Sequence, residues 1–263
     1  RRRRPVRDGT SLACCNQPPP PKHRADYAAW DRALKRHVQV RDQREGIMLH
    51  TVDYCGMKGD ADYQRFLESL AAANTSGLSK DEFYALYMNA YNALAMGVMV
   101  KHAVLPSGSC IKSIRDISTP QQQVWDMPAG VVGGRTVALQ EIENMLRQPQ
   151  AFGFKEDCRL HGCIVCMSIS CPNVRAEAYV PERIDEQMTD NMRDWLANDQ
   201  KGTQLLDGRL TVSSIFKWYD ADFTACGGST PAFIAEYAPS GVAQFIRSQG
   251  NRSIPLEYWS YNW

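Results

Sequence analysis

The stretch LSKDEFYALYMNAYNALAMGVMV, Leu78–Val100, predicts one helix that is apolar almost all the way round. Ser79 is placed to cap it and Glu82, three residues on, to close a capping box. Asp81 and Glu82 fall in the first turn, where the helix dipole favours acidic groups. A helix without a polar face belongs at the centre of a core. The uncharged run Phe83–Val100 reaches the lower length limit for a membrane span, but Asn89, Asn92, Tyr84, Tyr87, Tyr91 and Gly97 would be penalised in lipid. The expectation is therefore a buried core helix of a water-soluble protein, with no transmembrane span of its own. Asn89 and Asn92, three residues apart, form one polar stripe on that cylinder. Buried amides must be paired, so a structural role is expected for them, tying the helix to loop backbone.

Around this helix the pattern stays mostly helical. Tyr27, Trp30, Leu34 and Val38 recur at helical spacing, as do Tyr63, Phe66, Leu67 and Leu70. Pro106, Gly108 and Ser109 end the central unit, and residues 107–135 are rich in turn formers. GGRTVALQEIENMLR (133–147) reads as a Gly-Gly hairpin turn, a short strand and a helix. RLHGCIVCMS, Arg159–Ser168, reads as a buried strand. A helix is expected in PERIDEQMTDNMRDWLAND (181–199). LTVSSIFKWYDADF (210–223) starts as a strand and turns amphipathic, and PAFIAEYAPSGVAQFIRSQ (231–249) is helical on both sides of Pro239. No repeat or long linker interrupts residues 27–263, which read as a single helix-rich α+β domain with a small sheet.

Hydrophobic residues make up 44% of the 263 and charged residues 22%, which excludes wholesale disorder and a fibrous protein. A net charge of +1 argues against binding nucleic acid through a basic face. The charge is unevenly spread. Residues 1–24 carry seven basic side chains and one acidic, a net of +6, which leaves −5 for the rest. Residues 1–26 read as an extended basic arm. Arg1, Arg2, Arg3, Arg4 and Arg7 supply its charge, and Pro18, Pro19, Pro20 and Pro21 impose polyproline II geometry. Such an arm buries nothing by itself and becomes ordered on its own acidic body or on a partner, so these residues are the candidate partner-binding set. The chain opens on arginine rather than methionine, which reads as a trimmed start, and an acid-poor, Arg-rich start suits a remnant of organelle targeting.

Four of the nine cysteines, Cys158, Cys163, Cys166 and Cys171, lie within fourteen residues. Cys163 and Cys166 have the spacing of a redox or zinc half-site. A zinc site needs a second ligand pair, and a redox pair belongs at a helix N-terminus after a strand, so neither is favoured. A disulfide between Cys158 and Cys171 is open in an oxidising compartment. There is no phosphate loop, dinucleotide fingerprint or EF-hand loop, so no cofactor and no metal is expected.

Several separated stretches resemble one family, the domain of unknown function 547. YMNAYNAL (Tyr87–Leu94) is similar to its signature helix, LQEIENMLR (Leu139–Arg147) to its second motif and LHGCIVCMSISCP (Leu160–Pro172) to its third. IFKWYDADF (Ile215–Phe223) and YWSYNW (258–263) resemble its closing segments, so the likeness runs from about Tyr27 onward. The resemblance implies an α+β fold with a small sheet against several helices, and a cysteine-peptidase-like or transglutaminase-like activity. Where relatives carry histidine after the Ile-Glu of the second motif, this chain has Asn144. If that histidine is the family's base, this copy is inactive.

Thiol hydrolysis needs a cysteine, a histidine to take its proton and a group to orient the histidine. Cys171, in a loop before Pro172, is the candidate nucleophile, His161 the base and Glu143 the orienting carboxylate. Backbone N–H groups around Ser168–Cys171 are the candidate oxyanion hole. Two functions are carried forward. The first is a non-catalytic accessory subunit, docked by its arm on protein subunits of a larger, organellar energy-converting complex of the plastid or mitochondrion. The second is a thiol-dependent hydrolase.

Overall fold

A computed structural model of the chain describes residues 24–44, 46–102, 111–250 and 252–263. The candidate partner-binding residues, Arg1–Arg4, Arg7 and Pro18–Pro21, lie outside the described residues. Of the expected arm, 24–26 are described. The Arg24 guanidinium pairs with Glu82 at 2.9 Å and Glu182 at 3.5 Å, Ala25 is buried, and Asp26 caps the first helix, so these three belong to the body.

The fold is α+β and helix-rich. Helix α1 (Tyr27–His37) leads into the hairpin β1 (Val38–Arg44) and β2 (Ile47–Val52), then α2 (Tyr54–Lys58), α3 (Ala61–Ala71) and the long α4 (Lys80–His102). The hairpin β3 (Pro128–Val132) and β4 (Arg135–Ala138) precedes α5 (Leu139–Arg147). After an irregular stretch come α6 (Ile184–Ala197), β5 (Thr203–Leu206) and β6 (Arg209–Val212). Helices α7 (Ile215–Trp218), α8 (Asp220–Gly227), α9 (Thr230–Tyr237) and α10 (Ser240–Ser248) follow, and β7 (Leu256–Tyr258) pairs parallel to β6. Among the described residues the strands make three small sheets, β1-β2, β3-β4 and β5-β6-β7. Gly133 and Gly134 turn the β3-β4 hairpin with φ of 56° and 77°, left-handed values that glycine adopts without strain.

The capping box at Ser79 is formed. Its backbone N–H donates to Glu82 Oε2 at 2.9 Å, and Ser79 Oγ accepts from the Glu82 N–H at 3.2 Å. Helix α4 is buried on all sides from Phe83 to Met96. Each large side chain it buries contributes about 1.5–3 kcal/mol. Gly97 has a packing reason: the Tyr63 hydroxyl, which donates to Ala93 O at 2.9 Å, lies where a Cβ would stand.

Two hydrophobic clusters make up most of the core. One surrounds α4 and takes in Trp30, Phe66, Ile142 and Leu160. The other surrounds Trp195 of α6, which stacks on Phe216 at 5.0 Å, with Phe223 and Phe233 beyond. Tyr261 packs against both. Among the described residues no helix is long and apolar enough to cross a membrane.

The segment expected as a strand, 159–168, is not one. A single short 3-10 turn, Cys158–Gly162, gives way to an irregular loop. Side chains replace the ladder of a neighbouring strand. Asn92 accepts from the Val165 N–H at 2.9 Å and donates to Cys163 O at 2.9 Å, while Asn191 donates to Gly162 O at 2.7 Å. A backbone satisfied in this way needs no sheet.

Candidate functional site

Where the two clusters meet, a pocket of about 220 Å³ opens between α4, α5, the cysteine loop and the closing segment. Its walls are aromatic: Tyr91, Trp125, Trp218, Tyr219, Tyr261 and Trp263. Cys166, Cys171, His161 and Glu143 supply polar atoms. Among the described lining residues Glu143 is the one carboxylic acid, and there is no lysine or arginine. The three residues expected to carry catalysis therefore border one space, although no hydrogen bond joins His161 to Cys171.

His161 sits on the 3-10 turn, buried against the rings of Tyr219 and Phe223, at 4.4 and 4.9 Å between ring centres. Its Nε2 is 3.0 Å from Asp222 Oδ2. Facing a carboxylate, Nε2 carries the proton, which leaves the lone pair of Nδ1 as an acceptor. Asp222 is itself gripped by Arg147, whose Nε and Nη2 donate at 2.7 and 3.1 Å. Burial lowers the pKa of His161, against the opposing pull of Asp222, so the ring is neutral near pH 7. Burial alone would raise Asp222, but His161 and Arg147 together hold its carboxyl well below the usual range.

The carboxylate hydrogen-bonded to His161 is thus Asp222 and not Glu143. Glu143 accepts from the Tyr219 hydroxyl at 2.7 Å, one layer away. Asp222 reaches His161 because the disulfide Cys158–Cys226 staples the His161 turn to α8. Cys158 is therefore paired with Cys226 and not with Cys171.

Cys171 and Cys166 face each other, Sγ to Sγ, at 2.6 Å, and both are free thiols. Met167 makes that approach with a left-handed φ of 61°, costing about 1–2 kcal/mol for a residue with a Cβ. The Cys166 N–H donates to Cys171 Sγ at 3.1 Å, and the Tyr261 hydroxyl donates to the same sulfur at 3.2 Å. Ser168 Oγ donates to the Tyr261 oxygen at 3.1 Å. Burial would raise the Cys171 thiol, but the hydrogen bonds from Cys166, Tyr261 and Ser168 outweigh it and bring the pKa down to about 6. Cys166, which donates to its neighbour, is pushed well above the ordinary thiol value.

Beneath the loop lies Lys201, only 3% exposed. Its Nζ donates to Cys171 O at 2.6 Å, Asn173 Oδ1 at 2.8 Å and Ile169 O at 3.4 Å. Burial lowers its pKa to about 8.

Of the four backbone N–H groups expected to form an oxyanion hole, Ser168–Cys171, two are engaged within the protein. The Ser170 N–H donates to Asn262 O and the Cys171 N–H to Ser168 O, both at 3.2 Å. The donors beside the sulfur are the Cys166 N–H and the Tyr261 hydroxyl. Asn144 is exposed, accepts from Gln140 at 3.2 Å and lies outside the pocket. A histidine at that position would not line the pocket as this structure stands, so Asn144 removes nothing from it.

Asn89 donates to Ala85 O at 2.8 Å and Tyr179 O at 2.7 Å, and accepts from the Tyr179 N–H at 3.0 Å. With Asn92 it fastens α4 to loop backbone. Sequence reasoning missed three site residues: Asp222, Lys201 and Tyr261. Asp222 and Tyr261 fall inside IFKWYDADF and YWSYNW, the stretches that resemble the family's closing segments. Lys201 lies next to a glycine in a turn and carries no local signal.

The fold and the pocket define a helix-rich α+β protein with a hydrogen-bonded thiol pair and a His–Asp pair around one aromatic-walled space. Residues 75–196 match the model of the family described as Protein of unknown function, DUF547. The match takes in α4, α5, the cysteine loop and α6. Asp222 and Tyr261 lie beyond it. Neither curated proteins nor solved structures yield a match to the chain.

Proposed function

We propose that the pocket is the active site of a thiol-dependent hydrolase, with Cys171 as nucleophile and His161, oriented by Asp222, as the proton carrier. The observation that carries this reading is that a thiol with a lowered pKa and a neutral histidine, held in one tautomer by a carboxylate, line the same pocket. Cys171 Sγ attacks the carbonyl carbon of an acyl substrate, and the Tyr261 hydroxyl and the Cys166 N–H, both beside the sulfur, are the donors available to the oxygen that gains charge. His161 Nδ1 takes the Cys171 proton and passes it to the leaving group as its bond to the acyl carbon breaks. It then takes one from the water that releases the acyl group and returns it to the freed sulfur. Aromatic walls and the single carboxylic acid, Glu143, suit a neutral or cationic acyl substrate and disfavour an anionic one.

Mass spectrometry of the protein mixed with small neutral acyl esters tests the reading. A transient acyl adduct on Cys171 is expected, persisting longer in His161→Asn. An absent adduct, with Cys171 alkylated no faster than exposed Cys55, would overturn it.

The accessory-subunit reading, with its organellar complex, rests on residues 1–23, outside the described residues. Its remaining support is the net +6 of residues 1–24. Deleting those residues separates the two proposals: a working pocket keeps its Cys171 reactivity, and a docking arm loses its complex.

A further inference from the structure

We propose that Cys166 and Cys171 form a redox-active dithiol, oxidised by hydroperoxides to a reversible disulfide that withdraws the Cys171 sulfur from the pocket. The two sulfurs stand 2.6 Å apart, against about 2.05 Å in a disulfide, so closing the bond takes a shift of about half an ångström. Only four residues separate them, and the chain is already turned back on itself at Met167. Both sulfurs border the same opening, through which a small oxidant reaches them.

The roles of the two thiols differ. Cys171 accepts hydrogen bonds from the Cys166 N–H and the Tyr261 hydroxyl, and these favour its thiolate. Cys166 keeps its proton and lies where a resolving thiol must lie. The thiolate of Cys171 attacks one peroxide oxygen, the O–O bond breaks, and the departing oxygen leaves as water after taking a proton. Cys171 is then a sulfenic acid. The Cys166 sulfur attacks it, the S–O bond breaks, and hydroxide leaves as a second water with the Cys166 proton. The two thiols give up two electrons and two hydrogens, and hydrogen peroxide becomes two waters. A dithiol reductant reverses the bond by exchange.

The same stretch holds a second kind of cysteine. Cys158 is bonded to Cys226, away from the pocket, as a structural tie. Structural and reactive cysteines thus sit side by side in one short segment, separated by whether their sulfurs reach the pocket.

The test is a peptide map of the full chain before and after equimolar hydrogen peroxide, with iodoacetamide labelling of Cys171 as the second readout. A Cys166–Cys171 link is expected, with labelling of Cys171 down about tenfold and restored by dithiothreitol. Cys166→Ser should form no such link and should instead trap Cys171 as a sulfenic acid that dimedone captures. Two free thiols that persist after peroxide, or Cys171 joined to a different cysteine, overturn the proposal. The wild-type map decides even where the variant fails to fold. The inference does not depend on hydrolysis: a link that forms in a protein without acyl turnover leaves it standing, and turnover that survives peroxide overturns it alone.

Discussion

Asn89 and Asn92 on α4, and the group made by Cys171, Cys166, His161 and Asp222 beside them, are both polar and wholly or partly buried, yet their hydrogen bonds end differently. Every polar bond of the two asparagines runs to backbone of α4, of the cysteine loop or of Tyr179. Those amides neither titrate nor border the pocket. In the second group the partners are mostly other side chains that can gain or lose a proton, and one edge stays open to the pocket. Cys171 and His161 are as deeply buried as the two asparagines, while Cys166 and Asp222 are half-buried. The kind of partner separates a cluster that holds a fold from one that can do chemistry.

The comparison breaks most readily at its reactive end. Cys171→Ser is expected to abolish acyl-adduct formation in a protein that still folds, read by mass spectrometry beside circular dichroism. Asp222→Asn removes the charge that orients His161 and should slow hydrolysis by about 10²–10⁴-fold. Glu143→Gln, one layer away, should cost about tenfold or less. The reverse order of those two losses would make Glu143 the orienting group after all.

The saturated cluster should answer in stability instead. Asn92→Ala leaves the Val165 N–H without its partner, at about 1–3 kcal/mol, and leaves the Cys163 carbonyl with the longer bond from the Tyr179 hydroxyl at 3.4 Å. The thermal midpoint should fall by several degrees while the folded molecules keep their Cys171 reactivity. Lost reactivity at an unchanged midpoint would erase the distinction between the clusters.

A smaller effect concerns pH. A thiol reacts as its thiolate, which prevails above its pKa, so a lowered pKa brings the reactive form in at lower pH. Alkylation of Cys171 should rise through about pH 6 and level off by neutrality. A rate still climbing towards pH 9 would mean that the hydrogen bonds to sulfur do not outweigh its burial. Smallest of all is the influence of Lys201, whose cation lies behind the Cys171 carbonyl. Lys201→Met should move that midpoint to higher pH, and a midpoint that stays in place would make Lys201 a tether for the loop and nothing more.

How far the sequence could be read depended on distance along the chain. The capping box at Ser79, the all-round apolar face of α4 and the Gly133-Gly134 turn are local patterns, and all three were legible. The cysteine loop was misread because Ile164 and Val165 give 159–168 the composition of a strand. Its backbone is held instead by Asn92 and Asn191, far away in sequence, and no local pattern announces that. The same holds for the carboxylate on His161. Glu143 lay in a segment already singled out, whereas Asp222 arrives from α8 through a disulfide between residues 68 positions apart.

By itself, then, the sequence determined the central helix, the helix-rich α+β class and the concentration of thiols before Pro172, because propensity, capping and hydrophobic period act over a few residues. Only the tertiary structure decided which thiols meet, which carboxylate holds the histidine and which buried lysine underlies the loop. Those pairings depend on where α4, α5, α8 and the closing segment come together, and packing settles that over the whole chain at once.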